Sequence, residues 1–223
     1  MEEFRKKWVD FEPDIVPEQN EGRALEAEST RLYQDSDAAK MAYLKARERL
    51  LHVNNWASLV EGVTGEFRLT ESSGQMTEET ARKGLMIRID IPGPGTKAGD
   101  GYDWVIIEEM EEGSSQELDF LAFRVKPSKK PLGSLISNHG EEEIAHFYDP
   151  EASGTFVLYR TTNVVTCTIY DRNLKANTGA VSRVTDKLRN AVVGTTAAMG
   201  ISGVQWQKLA DAVVEDEQIQ PAD

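Results

Sequence analysis

Side chains able to do chemistry fall in a few short stretches. Pro92-Gly93-Pro94-Gly95-Thr96-Lys97-Ala98-Gly99-Asp100-Gly101 sets a lysine and an aspartate in a run of turn-formers. A phosphate loop requires Gly-Lys-Ser/Thr feeding a helix whose N-terminus faces the anion. Here Thr96 precedes Lys97, and Tyr102-Asp103-Trp104-Val105 opens a strand pattern. The spacing predicts a rigid hairpin loop whose tip, Lys97, Asp100 and Tyr102, can be offered to a partner. Asp90, Asp100 and Asp103 flank it at a spacing that matches no calcium loop. His139 and His146 bracket Glu141, Glu142 and Glu143, but a metallohydrolase helix sets two histidines four apart with a glutamate beside the first. Were zinc held anywhere, His139, Glu143 and His146 would be the ligands; the expectation is no metal.

Nucleophiles fare no better. Cys167 alternates with Val165 and Ile169, the pattern of a small buried apolar residue, and no Gly-x-Ser-x-Gly occurs. The acidic run Glu108 to Glu112 reads as a solvated strand end. Arg88, Arg124, Arg160 and Arg172 lie in or just after strand patterns and are expected on outward faces; two of them pointing inward would make an anion site. No catalytic group and no cofactor are predicted.

The elements that must carry these residues follow from periodicity. Residues 1–20 mix Trp8 and Phe11 with Pro13 and Pro17, which forbid a continuous helix, and predict an arm that is either loose or laid over another surface, with Trp8 and Phe11 packing on this chain's own core or on a partner. Removing this arm is expected to leave the melting temperature within a few °C and to abolish association. Residues 21–61 read as helical: Leu25, Leu32, Ala39, Tyr43 and Leu50 fall near one stripe. A continuous helix over 22–51 would span about 45 Å, and Asp35-Ser36-Asp37 offers N-caps for two helices instead. From 62 to 178 the period is two. Thr64–Thr70, Leu85–Ile91, Asp103–Met110, Leu118–Lys126, Thr155–Thr161 and Val164–Tyr170 predict six antiparallel strands with no crossover helix among them. The link 127–153 is long enough to hold a short element or act as a lid. Residues 179–216 return to helical spacing through Val181, Val184, Leu188 and Val192, then Val204, Leu209 and Val213; 217–223 is a frayed tail.

The predicted fold class is therefore α+β: an N-terminal helix or helical hairpin, a curved antiparallel sheet or partial barrel of six or more strands, and C-terminal helices packed on it. Residues 21–216 form one globular unit. In outline, strands followed by a long helix resemble the helix-grip arrangement of START-like lipid- and polyketide-binding proteins; the resemblance lies in the order of elements and implies an apolar pocket between sheet and helix. Trp104, Phe120, Phe123, Phe156 and Tyr159 are the expected lining of such a pocket.

Composition narrows the function. The 223 residues carry a formal net charge of −13, which disfavours an extended phosphate-binding face and with it a nucleic-acid partner. A single Cys excludes a disulfide framework. The charged start MEEFRKK and the lack of any stretch near ~18 apolar residues predict a cytoplasmic chain without membrane contact. The leading expectation is a non-catalytic interaction or assembly module binding another protein or itself through Trp8, Phe11, Lys97, Asp100 and Tyr102. Alternatives are a binder of an apolar small molecule, and an enzyme without a recognisable motif.

Overall fold

The computed structural model describes residues 13–60, 65–90, 96, 98–131, 143–177 and 203–215. Seven strands make one antiparallel sheet: β1 (Arg23–Leu32), β2 (Glu66–Thr70), β3 (Met86–Asp90), β4 (Asp103–Ser114), β5 (Leu118–Pro127), β6 (Ser153–Thr161) and β7 (Val164–Leu174). Their order is β1-β7-β6-β5-β4-β3-β2, so the sheet is open and β1 and β2 are its edges. Helix α1 (Ser36–Leu51), a 3₁₀ turn (Val53–Asn55) and the single-turn helix α2 (Trp56–Leu59) lie between β1 and β2. A further helix, α3, covers 203–214. The predicted helix around Val181 to Val192 lies outside the described residues.

All six strands expected from period two are present, and a seventh stands where a helix was expected. Residues 23–32 are strand, not helix, and neither one nor two helices fill 22–51. Arg, Leu, Glu and Ala are good helix formers, and Leu25 and Leu32 share a helical stripe by coincidence. The free edge of β7 overrides that preference, pairing with β1 from Arg23↔Leu174 to Leu32↔Val164. Strand alternation then buries the small Ala27 and Ser29 and leaves Leu32 exposed. The helix begins only at Ser36, where Asp35 Oδ1 accepts the Ala38 N–H at 2.8 Å. Its buried face is Ala39, Ala42, Tyr43, Ala46, Leu50 and Leu51, and the three alanines let it lie close over β6 and β7.

The sheet has two dressed faces. Phe67, Leu69, Ile87, Val105, Ile107, Leu121, Phe123, Phe156, Leu158, Val165, Cys167 and Ile169 point inward to α1, Trp56 and the α3 residues Leu209, Ala210, Val213 and Val214. Trp56 sits 5.4 Å from Phe67 and 5.0 Å from Phe156, and Phe123 stacks on Phe156 at 4.9 Å. Both edges are blunted: Asn54 Oδ1 accepts the Leu69 N–H of β2, and Gln207 Nε2 donates to the Glu28 carbonyl of β1.

The outer face over β5 and β6 is covered by the chain's own residues 13–21. Ile15, 1% exposed, packs on Ala122, Val157 and Tyr159. Arg124 donates to the Ile15 carbonyl at 2.6 Å. Asn173, held at φ +56°, takes the N–H groups of Asn20 and Glu21 on its Oδ1 and donates from Nδ2 to the Glu18 carbonyl. Gly22 is required beside it, since a Cβ there would stand 2.5 Å from the Leu174 carbonyl oxygen. Residues 13–20 therefore belong to the packed structure rather than to a dispensable arm. Ile15→Ala should cost about 2–5 kcal/mol in urea unfolding, and deleting 1–20 should lower the melting temperature by well over a few °C; an unchanged midpoint in both would contradict this placement.

Candidate functional site

The inner face is apolar at its centre and polar at its two ends. One end lies under the N-terminus of α1, where β4–β5 and β6–β7 are joined by short turns. Asp119 of β5 and Arg160 of β6 are direct cross-strand partners there, in phase with the inward Leu121 and Leu158. They are 1% and 2% exposed. Arg160 Nε donates to Asp119 Oδ2 at 2.5 Å, while Nη1 and Nη2 reach Ser36 Oγ and the carbonyls of Thr162 and Gln116. Lys40 of α1 pairs with Asp119 Oδ1, which also accepts the Ser114 hydroxyl at 2.5 Å. Burial acts to raise the Asp119 pKa, but the hydrogen bonds from Lys40, Ser114 and Arg160 prevail and hold it below the ordinary carboxylate value. Tyr43, beside this cluster, has its phenol pushed well above the ordinary value by burial and then by the Asp119 charge. Every polar arm of Arg160 is engaged, so this end is a fastening, not an anion site.

The other end is bounded by the long connections. β3–β4 (91–102), β5–β6 (128–152) and the stretch after β7 all leave the sheet there. Asp103, the first residue of β4, faces inward in phase with Val105 and Ile107 and opposite Ile89. It is 2% exposed, and its Oδ1 has no hydrogen-bond partner among the described residues. Burial raises its pKa to about 7, against lowering contributions from the Thr96 hydroxyl and the Phe147 backbone amide. His146, Phe147 and Tyr148 run beside it as three packed rings, with centroids 4.6 Å (His146–Phe147) and 4.2 Å (Phe147–Tyr148) apart. Burial lowers the His146 imidazole to about 3, and its Nδ1 accepts the Tyr148 N–H at 3.0 Å, so it is a neutral ring. The Tyr148 hydroxyl is buried without a partner among the described residues, and burial raises its pKa. Asp171 of β7, on the inner face opposite Leu25, accepts Trp206 Nε1 of α3 at 2.9 Å.

The residues singled out from sequence are dispersed. Trp8, Phe11 and Lys97 lie outside the described residues, as does His139. Asp100 is paired with Lys130, and Tyr102 lies under the Arg88 guanidinium at 4.3 Å, so both are engaged within the chain. The five aromatics expected to line one pocket divide between the faces. Phe123 and Phe156 are inward, Phe120 and Tyr159 pack with Ile15 outside, and Trp104 lies in a separate outer cluster with Met86 and Ala145. Their spacing already held this answer: Phe120 and Phe123, like Phe156 and Tyr159, are three apart, which in a strand means opposite faces. Arg160 points inward, correcting the expectation of four outward arginines. Arg124 faces out, holding Glu108 and, at 2.6 Å, Glu109 across a bulge in β4. Burial and then the Asp211 charge push the Cys167 thiol up to about 12, so no thiolate is available. Among the described residues no three metal-ligating side chains cluster, and no helix is long and apolar enough to cross a membrane. Sequence reasoning weighed Asp103 only as a flank of a calcium loop and missed its burial, and it missed Tyr148 altogether; the signal for Asp103 was a charge in phase with Val105 and Ile107.

No protein-family model matches the chain, and no curated protein matches it in sequence. Solved structures align loosely over most of its length. A hypothetical protein of Helicobacter pylori aligns at 13% identity over 94% of this chain and 91% of its own, with a TM-score of 0.43. Norcoclaurine synthase of Thalictrum flavum, in complex with dopamine and hydroxybenzaldehyde, aligns at 9% identity over 89% of this chain and 93% of its own, TM-score 0.33. Ara h 8.0201 aligns at 9% identity over 87% and 100%, TM-score 0.31. Likenesses at this level carry no conclusion about activity.

Two measurements test the electrostatics. Asp119→Ala strands a buried guanidinium and should cost about 3–5 kcal/mol, whereas replacing Asp119 and Arg160 together by Leu and Met should recover most of it; equal losses in urea would refute the pairing. For Asp103 the folded pKa of about 7 exceeds the unfolded value of 3.8, so folding favours the proton. Stability is lost as pH rises from about 4 to about 7, and the penalty persists above. Asp103→Asn should therefore gain a few kcal/mol over the native chain at pH 8 and nothing near pH 3; a pH-independent difference would contradict this.

Proposed function

We propose that the protein binds an apolar small molecule against the inner face of its sheet, entering from the end where Asp103 lies. The observation that carries this is the asymmetry of the two ends. Short turns, α1 and the Asp119–Arg160–Lys40 fastening close one end. The other gathers the β3–β4 (91–102) and β5–β6 (128–152) connections and the stretch after β7, though the β2–β3 connection (71–85) leaves from the first end; loops on a rigid scaffold commonly carry binding. The aromatic layer of Trp56, Phe67, Phe123, Phe156 and Trp206 fills the middle of the grip and forms the floor. A ligand thus sits between that floor and the open end, which favours a compact molecule over a long-chain lipid. The helix-grip order of elements agrees with this reading.

A second reading, a non-catalytic interaction or assembly module, is favoured by one observation. Met41 and Leu44, one turn apart on the outward side of α1, are 60% and 43% exposed. Asp100 and Tyr102, both engaged within the chain, add no support to it. Native mass spectrometry of protein purified gently from its own host separates the two. A monomer with a reproducible small-mass adduct is the expected result; a homo-oligomer or co-purifying polypeptide without an adduct would overturn the ligand reading in favour of the module.

A further inference from the structure

We propose that residues 144–149 form a crosspiece at the end of the sheet, held shut by a proton on Asp103 and released when that proton is lost. The behaviour is independent of the ligand reading above and names the part of that end which moves. The crosspiece is secured on two sides. Toward β4 and β5, the Ala145 carbonyl accepts the Trp104 N–H at 2.8 Å, the Ala145 N–H donates to the Ser128 carbonyl at 2.9 Å, and Ile144 bridges to Lys129. Toward the chain after β7, the Asp149 N–H donates to the Lys175 carbonyl at 3.0 Å, and the Phe147 carbonyl accepts the Asn177 N–H at 2.8 Å. Asp103 is where this segment meets the β3–β4 connection, since its carboxyl is in hydrogen-bonding contact with both the Phe147 amide and the Thr96 hydroxyl.

Proton counting favours the acid form while the crosspiece is closed. Thr96 has one hydroxyl proton, and it donates that proton to the Tyr102 carbonyl at 2.8 Å. An ionised Asp103 competes for the same proton, so one acceptor goes without. A protonated Asp103 instead donates to Thr96 Oγ1, and the relay from Asp103 through Thr96 to Tyr102 is complete. No cation among the described residues offsets an ionised Asp103. On the crosspiece His146 is neutral, and burial holds the Tyr148 phenol in its neutral form. Lys130 is engaged with Asp100, Lys126 with Glu108 at 3.7 Å, Lys175 with Glu21 at 2.7 Å and Arg88 with the Tyr102 ring, while Asp171 is held by Trp206. Burial raises the Asp103 pKa from 3.8 to about 7, and an opening that lets water reach the carboxyl restores the ordinary value. Between about pH 4 and about pH 7 the closed state therefore binds one more proton than the open one, and opening eases by up to about tenfold per pH unit. Above about pH 7 both states are ionised and no further change follows.

Amide hydrogen exchange on the full chain tests this at Ala145, Asp149 and Asn177. Base-catalysed exchange alone quickens about tenfold per pH unit, so these amides are expected to quicken about a hundredfold per unit between about pH 5 and pH 7 and about tenfold per unit above. The steeper rise should persist unchanged in dilute urea, because the opening is local. Asp103→Asn, whose amide can donate to Thr96 in place of the acid, should return the rise to about tenfold per unit throughout. A rise of only about tenfold per unit in the native chain would overturn the proton control. A steeper rise with the same urea dependence as the Leu121 and Leu158 amides would overturn the crosspiece, since the proton would then be felt only in global unfolding. The pH and urea series on the native chain decide the matter even if Asp103→Asn fails to fold.

Discussion

A salt bridge between neighbouring strands, sealed from water on both sides, organises this molecule. Asp119 and Arg160 are opposite each other on β5 and β6, and a buried charge is tolerable only when every one of its partners is in place. The partners come from everywhere: Ser114 from the end of β4, Ser36 and Lys40 from α1, the carbonyls of Gln116 and Thr162 from two turns. Satisfying the pair fixes the register of β5 against β6 and the position of α1 across them. Tyr43 and Ala46 of that helix are buried in the same core as the aromatic layer. Arg47 of α1 repeats the attachment more weakly, at the surface, with Glu112 of β4 at 2.6 Å.

The two ends of the inner face treat a carboxylate in opposite ways. Asp119 is surrounded by donors and kept ionised; Asp103 is equally buried but given too few, and its pKa climbs instead. The difference is one of construction. At the Asp119 end Lys40, Ser114 and Arg160 all donate to the carboxylate, whereas at the Asp103 end only the Thr96 hydroxyl and the Phe147 amide, among the described residues, act on it and Oδ1 has no partner there. Stability is concentrated at one end of the sheet and withheld at the other, as expected where a scaffold also has to recognise something.

Much of this was legible in the sequence. Alternation located six strands because their inward residues are large and apolar, and the buried side of α1 followed from its alanine and leucine spacing. β1 was hidden because its inward residues are small, Ala27 and Ser29, while its composition favours helix; only the unpaired edge of β7, a long-range fact, decides its state. The fastening was in principle readable, since Asp119 and Arg160 each sit in phase with apolar neighbours and carry opposite charges. Which strands would lie side by side, and hence that the two charges would meet, was not. The unserved oxygen of Asp103 has no sequence signature at all, because it depends on where the Thr96 and Phe147 groups come to rest.

The placement of β1 has a consequence for how the chain reaches its native state. From β2 to β7 each strand pairs with the next in sequence, so that meander can form step by step as the polypeptide lengthens. β1 and the strap of residues 13–21 cannot. The partner of one is β7, and the latch of the other is Asn173, both far towards the C-terminus. During synthesis the first segment made is thus among the last to be secured. Until then the edge of β7 and the outer apolar patch around Ala122 and Val157 stand uncovered, open to capture by another strand of the same kind.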